Sequence, residues 1–153
     1  MHNCKNIIYI SYDGVMEPLG QSQVVGYLNK IAKKYNCYLI SFEKSKDLAN
    51  KDKLSQSKNF LHTQNIHWTP LRYHKKFKIF STVFDMLIGT INAFRIMHST
   101  NICILHIRGY IPMLIALSLK LFFSHKIIFD MRGFWPDEKA DRAGWIRSGL
   151  VYR

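Results

Sequence analysis

The chain has few acidic residues, few cysteines and no long apolar run. Its 153 residues contain 10 Asp and Glu against 22 Lys and Arg, which gives a formal net charge of +12. This surplus argues against cationic partners and favours nucleic acid, anionic lipid or phosphorylated small molecules, with a solvated basic surface as the alternative. With 48% hydrophobic and 21% charged residues, the composition is typical of one globular domain with a real core.

The three cysteines, Cys4, Cys37 and Cys103, form no CxxC pair and no metal-binding spacing with histidine. An odd number of distant cysteines argues against a disulfide scaffold and favours a reducing cytoplasm. The start, MHNCKN, has no apolar core of a signal peptide behind it. The longest apolar stretch, 111–123, is shorter than a span of ~20 residues and contains Lys120. We therefore predict a cytoplasmic protein with no membrane span and no metal site.

Apolar, β-branched runs alternate along the chain with segments of helical periodicity. Strands are predicted at 6–11, 37–42, 66–71, 101–107 and 126–131, and helices from Ser22 to Tyr35, at 46–63, along a long stretch after residue 78, and at 110–123. The long helix carries one apolar stripe: Ile79, Phe80, Val83, Phe84, Leu87, Ile88 and Ile91. Pro70 is predicted to end the third strand, and Gly89 to weaken the long helix.

Five β–α units with nearly continuous apolar strands predict a Rossmann-like, doubly wound parallel sheet with helices on both faces, in a single α/β domain. Ligands of such sheets bind outside the carboxyl ends of the strands. The segments expected to matter most are therefore 11–23, 108–112 and 131–138, which follow the first, fourth and fifth strands.

The first of these segments reads SYDGVMEPLGQSQ. The dinucleotide fingerprint GxGxxG is absent from this segment. The segment also differs from a P-loop, because its glycine spacing is one residue longer and Gln21 stands at the position of the P-loop lysine. Gly14 and Gly20 allow close backbone approach, and a helix beginning near Ser22 would direct its free N–H groups at the loop. Two interpretations stay open: a site for a phosphate or sugar hydroxyl, or an ordinary tight β–α turn.

The segment DMRGFWPDE, 130–138, combines an arginine with carboxylates and aromatic rings. Arg132 could grip a phosphate or vicinal hydroxyls, and Asp137 and Glu138 could accept from sugar hydroxyls. The alternative is a structural ion pair with Trp135 as packing. His106 and Arg108 lie at the same predicted edge, and we assign His106 no general-base role.

Together, ISYDGVMEPLGQSQVVGYL, the strand ending in SFEK, HIRGYIP and IIFDMRGFWPDE resemble the amino-terminal half of GT-B glycosyltransferases of family 4. The resemblance covers nearly the whole chain in order. It implies the acceptor-side half of an enzyme with two Rossmann-like domains, which transfers a sugar from a nucleotide-sugar to a glycan or lipid-linked acceptor with retention of configuration. It implies no cofactor beyond that co-substrate and no enzymic nucleophile, so no catalytic residue is assigned.

The resemblance places Gly14, Gly20 and Gln21 near the donor phosphates and the acceptor. It assigns acceptor contacts to Arg108, Arg132, Asp137 and Glu138. Many members carry a histidine near the fifth-strand loop, where this chain has Arg132. Because the chain stops at Arg153 inside a predicted helix, the donor-binding carboxy-terminal domain is expected to be absent. We expect a truncated product, split half or fragment that is inactive alone.

The segment RYHKKFKIF, 72–80, concentrates basic residues with aromatics between them. Family members that use lipid-linked acceptors dock on membranes through such segments. We therefore predict peripheral contact with an anionic membrane through Arg72, Lys75, Lys76, Phe77 and Lys78. The alternative is a solvated loop with its aromatics packed inward.

Two further functions stay open. A basic nucleic-acid-binding module is compatible with the charge, but no nucleic acid is expected because no RRM, KH, zinc-finger or helix-turn-helix pattern is present. A non-catalytic scaffold that pairs with a separate carboxy-terminal half would expose Trp135, Trp145 and Ile146.

Overall fold

The computed structural model describes residues 5–74 and 78–131. Its centre is one sheet of five parallel strands in the order β3-β2-β1-β4-β5. The strands are β1 (Asn6–Ser11), β2 (Asn36–Glu43), β3 (Ile66–Arg72), β4 (Ile102–Arg108) and β5 (Lys126–Asp130). Each lies within one residue of its predicted ends. The predicted α/β class and doubly wound parallel sheet are confirmed.

The helices lie in the predicted segments but differ at their ends, and the helix predicted at 46–63 is divided into two. The first helix, 18–31, runs through α1 (Pro18–Gly20), a π-helical segment (Gln21–Val25) and α2 (Gly26–Ile31). The others are α3 (Ser45–Ala49), α4 (Lys51–Thr63), α5 (Lys78–Ser99) and α6 (Tyr110–Leu119). The predicted start near Ser22 is wrong, because the proline at position 18 begins the helix, where a missing N–H costs little.

Two apolar layers cover the two faces of the sheet. On one face, the first helix and α4 pack over a cluster that includes Tyr9, Leu28 and Leu61. On the other face, α5 and α6 pack over a cluster that includes Ala93 and Ile115. The chain changes faces after β3, so the strand order reverses between β1 and β4. Crevices at such a switch point are where ligands bind in this architecture.

Helix α5 presents its small and polar side to the sheet. Ser81, Asp85, Gly89, Ala93 and Met97, spaced four residues apart, are its buried positions. The apolar stripe faces outward instead, apart from half-buried Ile88, and Ile79 and Phe80 are 76% and 81% exposed.

Gly89 explains how α5 lies so close to its neighbours. A Cβ there would lie 2.7 Å from Ile115 Cδ1 and 3.1 Å from Phe42 Cζ, so glycine at this position permits the contact. Among the described residues, one helix, Ile79–Ser99, is long enough and apolar enough to cross a membrane, judged by length and composition alone.

Pro70 does not end its strand, because β3 continues to Arg72. In the described sheet β3 pairs only with β2, and an edge strand tolerates a residue that cannot donate to a ladder.

The number and spacing of the cysteines did not predict that Cys103 is disulfide-bonded. Cys37 is free and buried, and burial raises the pKa of its thiol to about 11.

Candidate functional site

The carboxyl ends of four strands form one continuous edge. The register aligns Ser41 with Ser11, Ser11 with Arg108, and Arg108 with Asp130 across β2, β1, β4 and β5. The loop between β1 and the first helix, 12–17, lies over this edge at the switch point. The candidate site is therefore the loop together with the side chains that follow these strands.

Glu43, the last residue of β2, holds this loop in place through hydrogen bonds to its backbone. Its side chain is fully buried. One carboxyl oxygen accepts from the Val15 N–H at 2.8 Å, and the other accepts from the Met16 N–H at 3.1 Å. Ser41 Oγ donates to the same group at 2.6 Å and in turn accepts from Trp68 Nε1 at 2.7 Å. These bonds satisfy two buried backbone donors of the loop and hold it in one conformation.

Sequence reasoning assigned no role to Glu43. The pattern that could have found it is a carboxyl group at the carboxyl end of an otherwise apolar strand, CYLISFE. Such a group is rarely buried unless it has partners. In a parallel sheet, the nearest backbone donors are those of the neighbouring strand's loop.

Gly14 and Gly20 serve close approach rather than unusual backbone conformation, since the glycine with positive φ among the described residues is Gly109. A Cβ on Gly14 would lie 2.5 Å from Glu43 Oε2. A Cβ on Gly20 would collide with the backbone oxygen of Gly14 and lie 2.7 Å from Val15 Cα. The two glycines let the loop fold back against the start of the first helix.

Gln21 lies inside the first helix rather than in front of it. Its N–H donates to Glu17 O at 2.9 Å, so this N–H is already engaged. The exposed amide side chain instead lines a cavity between the first helix and α4. The expectation that a helix beginning near Ser22 offers free N–H groups to the loop is therefore wrong.

Arg108 is held by two side chains at the end of β4. One guanidinium nitrogen donates to Asp130 Oδ2 at 2.7 Å, and the other donates to Gln23 Oε1. The arginine side chain is mostly buried, whereas Asp130 is about one-third exposed. This arrangement positions the cation between β5 and the first helix, with Asp130 balancing its charge.

His106 is packed among aromatic rings. Its ring centroid lies 4.6 Å from that of Tyr9 and 5.2 Å from that of Tyr27, whose hydroxyl lies 3.4 Å from Nδ1. Burial lowers the pKa of His106 and raises the pKa of Tyr9 to about 12. The rings of Tyr9 and Tyr27 therefore enclose the imidazole at the end of β4.

A second polar cluster, His74, Asp85 and Tyr12, joins the ends of β3 and β1 to α5. Asp85 is fully buried and accepts from the Tyr12 hydroxyl at 2.9 Å and from the His74 N–H at 3.1 Å. His74 Nδ1 lies 2.6 Å from the other oxygen of Asp85. Burial and the neighbouring Asp85 raise the pKa of Tyr12. Sequence reasoning missed this cluster, although Asp85 is the one acid in an apolar helix.

Several predicted site residues lie outside the described part of the chain. They are Arg132, Asp137 and Glu138 of the expected acceptor site, and Lys75, Lys76 and Phe77 of the expected membrane segment. Lys78 begins α5, and its side chain is not described. Arg72 is exposed at the end of β3, and its Nε donates to Ser45 Oγ at 3.0 Å. The structure therefore brings Gly14, Gly20, Gln21 and Arg108 to one edge of the sheet.

The cavity that Gln21 lines has a volume of about 570 Å³. It opens beside Val15 of the loop and runs between the first helix and α4. Among residues 5–74 and 78–131, no group of three or more His, Cys, Asp or Glu side chains could hold a metal ion. The polar groups of this region are amides, hydroxyls and isolated charged side chains.

The five parallel strands with helices on both faces define a Rossmann-like α/β domain. In fold, the domain is similar to the crystal structure of a glycosyltransferase from Rickettsia africae ESF-5, with a TM-score of 0.56 at 11% sequence identity. The match covers 92% of this chain and 35% of that chain, so this chain spans about a third of the length of the solved enzyme. No family model and no curated protein matches the sequence.

Proposed function

We propose that this chain is the amino-terminal, acceptor-binding half of a retaining GT-B glycosyltransferase of family 4. The complete enzyme moves a sugar from a nucleotide-sugar to a glycan or lipid-linked acceptor. The observation that carries this proposal is the fold likeness of nearly the whole chain to a glycosyltransferase. The motif DGVMEPLGQSQ supports it, because its loop lies at the switch point of the sheet, next to a cavity.

In the proposed reaction, a hydroxyl oxygen of the acceptor forms a bond to the anomeric carbon of the donor. The bond from that carbon to the nucleoside diphosphate breaks, and the hydroxyl proton goes to the departing diphosphate. The chain's own residues orient the acceptor for this step, and such positioning supplies much of the rate of a transfer reaction. The groups proposed for this role are the loop fixed by Glu43, the Gln21 amide, and Arg108, which is bonded to Asp130 and to Gln23 of the first helix. Arg132, Asp137 and Glu138 are proposed to add further acceptor contacts.

The purified chain alone is expected to transfer no sugar from radiolabelled nucleotide-sugars, because the proposed donor site belongs to another domain. Joined to a nucleotide-sugar-binding half of a family 4 enzyme, it is expected to gain transfer to a glycan or lipid-linked acceptor. Arg108→Ala in the joined protein is expected to lower kcat/KM by about tenfold or more, equivalent to about 1.4 kcal/mol of transition-state stabilisation. Arg95→Ala, which removes an exposed arginine from α5, is the matched control.

Two outcomes would contradict the proposal. Turnover by the isolated chain would show that it holds a complete site, against the division into acceptor and donor halves. A joined protein that folds and binds donor, yet transfers to no acceptor, would count against a role in glycosyl transfer.

The outward stripe of α5 favours a second candidate function, peripheral binding to an anionic membrane. From Lys53 to Phe129, both included, the sequence has ten Lys and Arg and one acidic residue, Asp85, and that residue is buried. The stripe follows the basic segment 72–78. Cations beside an exposed apolar helix face are the combination that holds a helix at the surface of an anionic bilayer. The buried side of α5 contacts the sheet cluster, which favours a helix lying on the membrane.

The chain is expected to sediment with vesicles rich in anionic lipid at low salt and to remain free with neutral vesicles. Phe80→Ser should weaken retention, whereas Phe60→Ser, which alters an exposed ring on the opposite face of the sheet, should not. Equal effects of the two variants, or no retention by the unaltered chain, would overturn membrane contact through α5. If the chain instead retains RNA on filters, and this retention falls steeply as the salt concentration rises, the nucleic-acid alternative is favoured.

A further inference from the structure

A groove separates the first helix from α4 on the face of the sheet opposite α5. Its floor is made by Val15, Val25 and Leu61, all buried in the apolar cluster beneath. Its walls are polar, with Gln21 and Asn29 on the first helix and Gln56 and Ser57 on α4. At about 570 Å³ it has the size of a site for a small ligand.

The walls offer neutral hydrogen-bonding groups rather than charge. Three carboxamides and one hydroxyl supply donors and acceptors side by side, which is the pattern that neighbouring sugar hydroxyls require. Asn29 Oδ1 is buried with no hydrogen-bond partner among the described residues. An unpaired buried acceptor is costly, and this one belongs to a residue that lines the groove.

The single cation in the wall is already paired. Lys53 Nζ lies 3.1 Å from Asp47 Oδ1, and that carboxyl group is mostly buried. The ammonium group therefore adds a fixed donor to the groove with little net positive charge, which disfavours a phosphate as the natural occupant. Phe60 lies in the lining and is 52% exposed, so its ring is available to the apolar face of a sugar.

From these contacts we infer that the groove binds one sugar residue of a glycan. The inference rests on the proposed function, under which this residue is a unit of the acceptor that lies away from the reacting hydroxyl. The groove adjoins the loop at the switch point through Val15 and Gln21, so a glycan bound in it would extend toward that loop. The groove would then select acceptors by chain length and by the sugar at this position.

Gly26→Leu tests the groove without disturbing the fold. A Cβ at Gly26 would meet only Gln21 O, at 3.8 Å, so the new side chain has room at the groove and blocks it. Replacing a glycine within a helix also stabilises by up to about 1 kcal/mol. We expect the variant to melt no lower than the unaltered chain. Its dissociation constant for the glycan should rise at least tenfold.

Binding is measured by NMR chemical-shift changes on the full chain with gluco-, galacto-, manno- and N-acetylglucosamine trisaccharides. At least one trisaccharide is expected to shift signals of Asn29, Gln56 and Ser57. Phe60→Ala should weaken that binding, and Phe80→Ala, an exposed ring on α5, serves as the matched control. Inorganic phosphate is the competing probe and is expected to cause no shifts at these positions.

The outcomes separate the groove from the proposed function. If trisaccharides shift signals around Arg108 and the loop but not in the groove, the groove is no sugar site and the acceptor domain stands. If no trisaccharide shifts either region, both proposals fail. Shifts in the groove caused by phosphate alone, or binding that Gly26→Leu leaves unchanged, overturn the groove as a sugar site.

Discussion

Replacing Glu43 with alanine is expected to lower the free energy of unfolding by about 3 kcal/mol or more. The substitution leaves the N–H groups of Val15 and Met16 buried without their acceptor, and each unsatisfied buried donor costs about 1–3 kcal/mol. Ser41 loses its acceptor as well. For a chain of this size, 3 kcal/mol corresponds to a fall in Tm of about 6 °C or more, measured by thermal unfolding.

Glu17→Ala is the matched control for this experiment. Glu17 lies at the end of the same loop, 2.7 Å from Lys44 Nζ, and both side chains are partly exposed. Surface ion pairs of this kind contribute about 1 kcal/mol or less, so Glu17→Ala should change Tm little. Glu43→Gln, which keeps one acceptor oxygen, should fall between the two. Equal melting temperatures for Glu43→Ala and Glu17→Ala would show that the buried carboxyl group does not hold the loop.

The strands were predictable because their physical cause is local. A buried parallel strand reads as a nearly continuous run of apolar residues, and β1 and β2 show this in the sequence alone, whereas β3 contains His67, Thr69 and Pro70. The single hand of β–α connections limits the possible arrangements, but the order β3-β2-β1-β4-β5 was not predicted. The edge that carries Gly14, Gly20, Gln21 and Arg108 could nevertheless be located before any coordinates.

The orientation of α5 could not be read from its periodicity. The stripe from Ile79 to Ile91 is a regular apolar face, and such a face usually packs on the core. Here the core contact is made by the opposite side, where Gly89 lets the helix approach Phe42 and Ile115. A pattern within one helix shows which residues share a face, but the partner that covers this face depends on the rest of the assembly.

The hydrogen bonds that hold the loop could not be predicted either, because they join residues that are distant in sequence. Glu43 is separated from Val15 by 28 residues, and Tyr12 from Asp85 by 73. Taken alone, Glu43 and Tyr12 read as surface residues near strand ends, and Asp85 reads as a single acid in an apolar helix. Only the sheet order brings them together, and only burial makes their hydrogen bonds strong determinants of the local structure.

Gly20→Ala is expected to destabilise the chain by about 2 kcal/mol, even though alanine is the better helix former. The new methyl group would lie 2.7 Å from Val15 Cα and would collide with Gly14 O. These are backbone atoms that cannot rotate away, so the loop must move, and overpacking of this kind costs about 1–3 kcal/mol. The displaced loop should also weaken sugar transfer in the joined protein, because Val15 and Met16 leave their places on Glu43.

Gly26→Ala provides the comparison within the same helix. Its Cβ has free space, so the higher helix propensity of alanine should stabilise the chain by up to about 1 kcal/mol. Two glycines six residues apart are thus expected to respond with opposite signs, measured by denaturant unfolding under one set of conditions. Shifts of the same sign and size would mean that the loop is not pressed against the helix at Gly20. The contact between loop and helix would then not set the shape of the site.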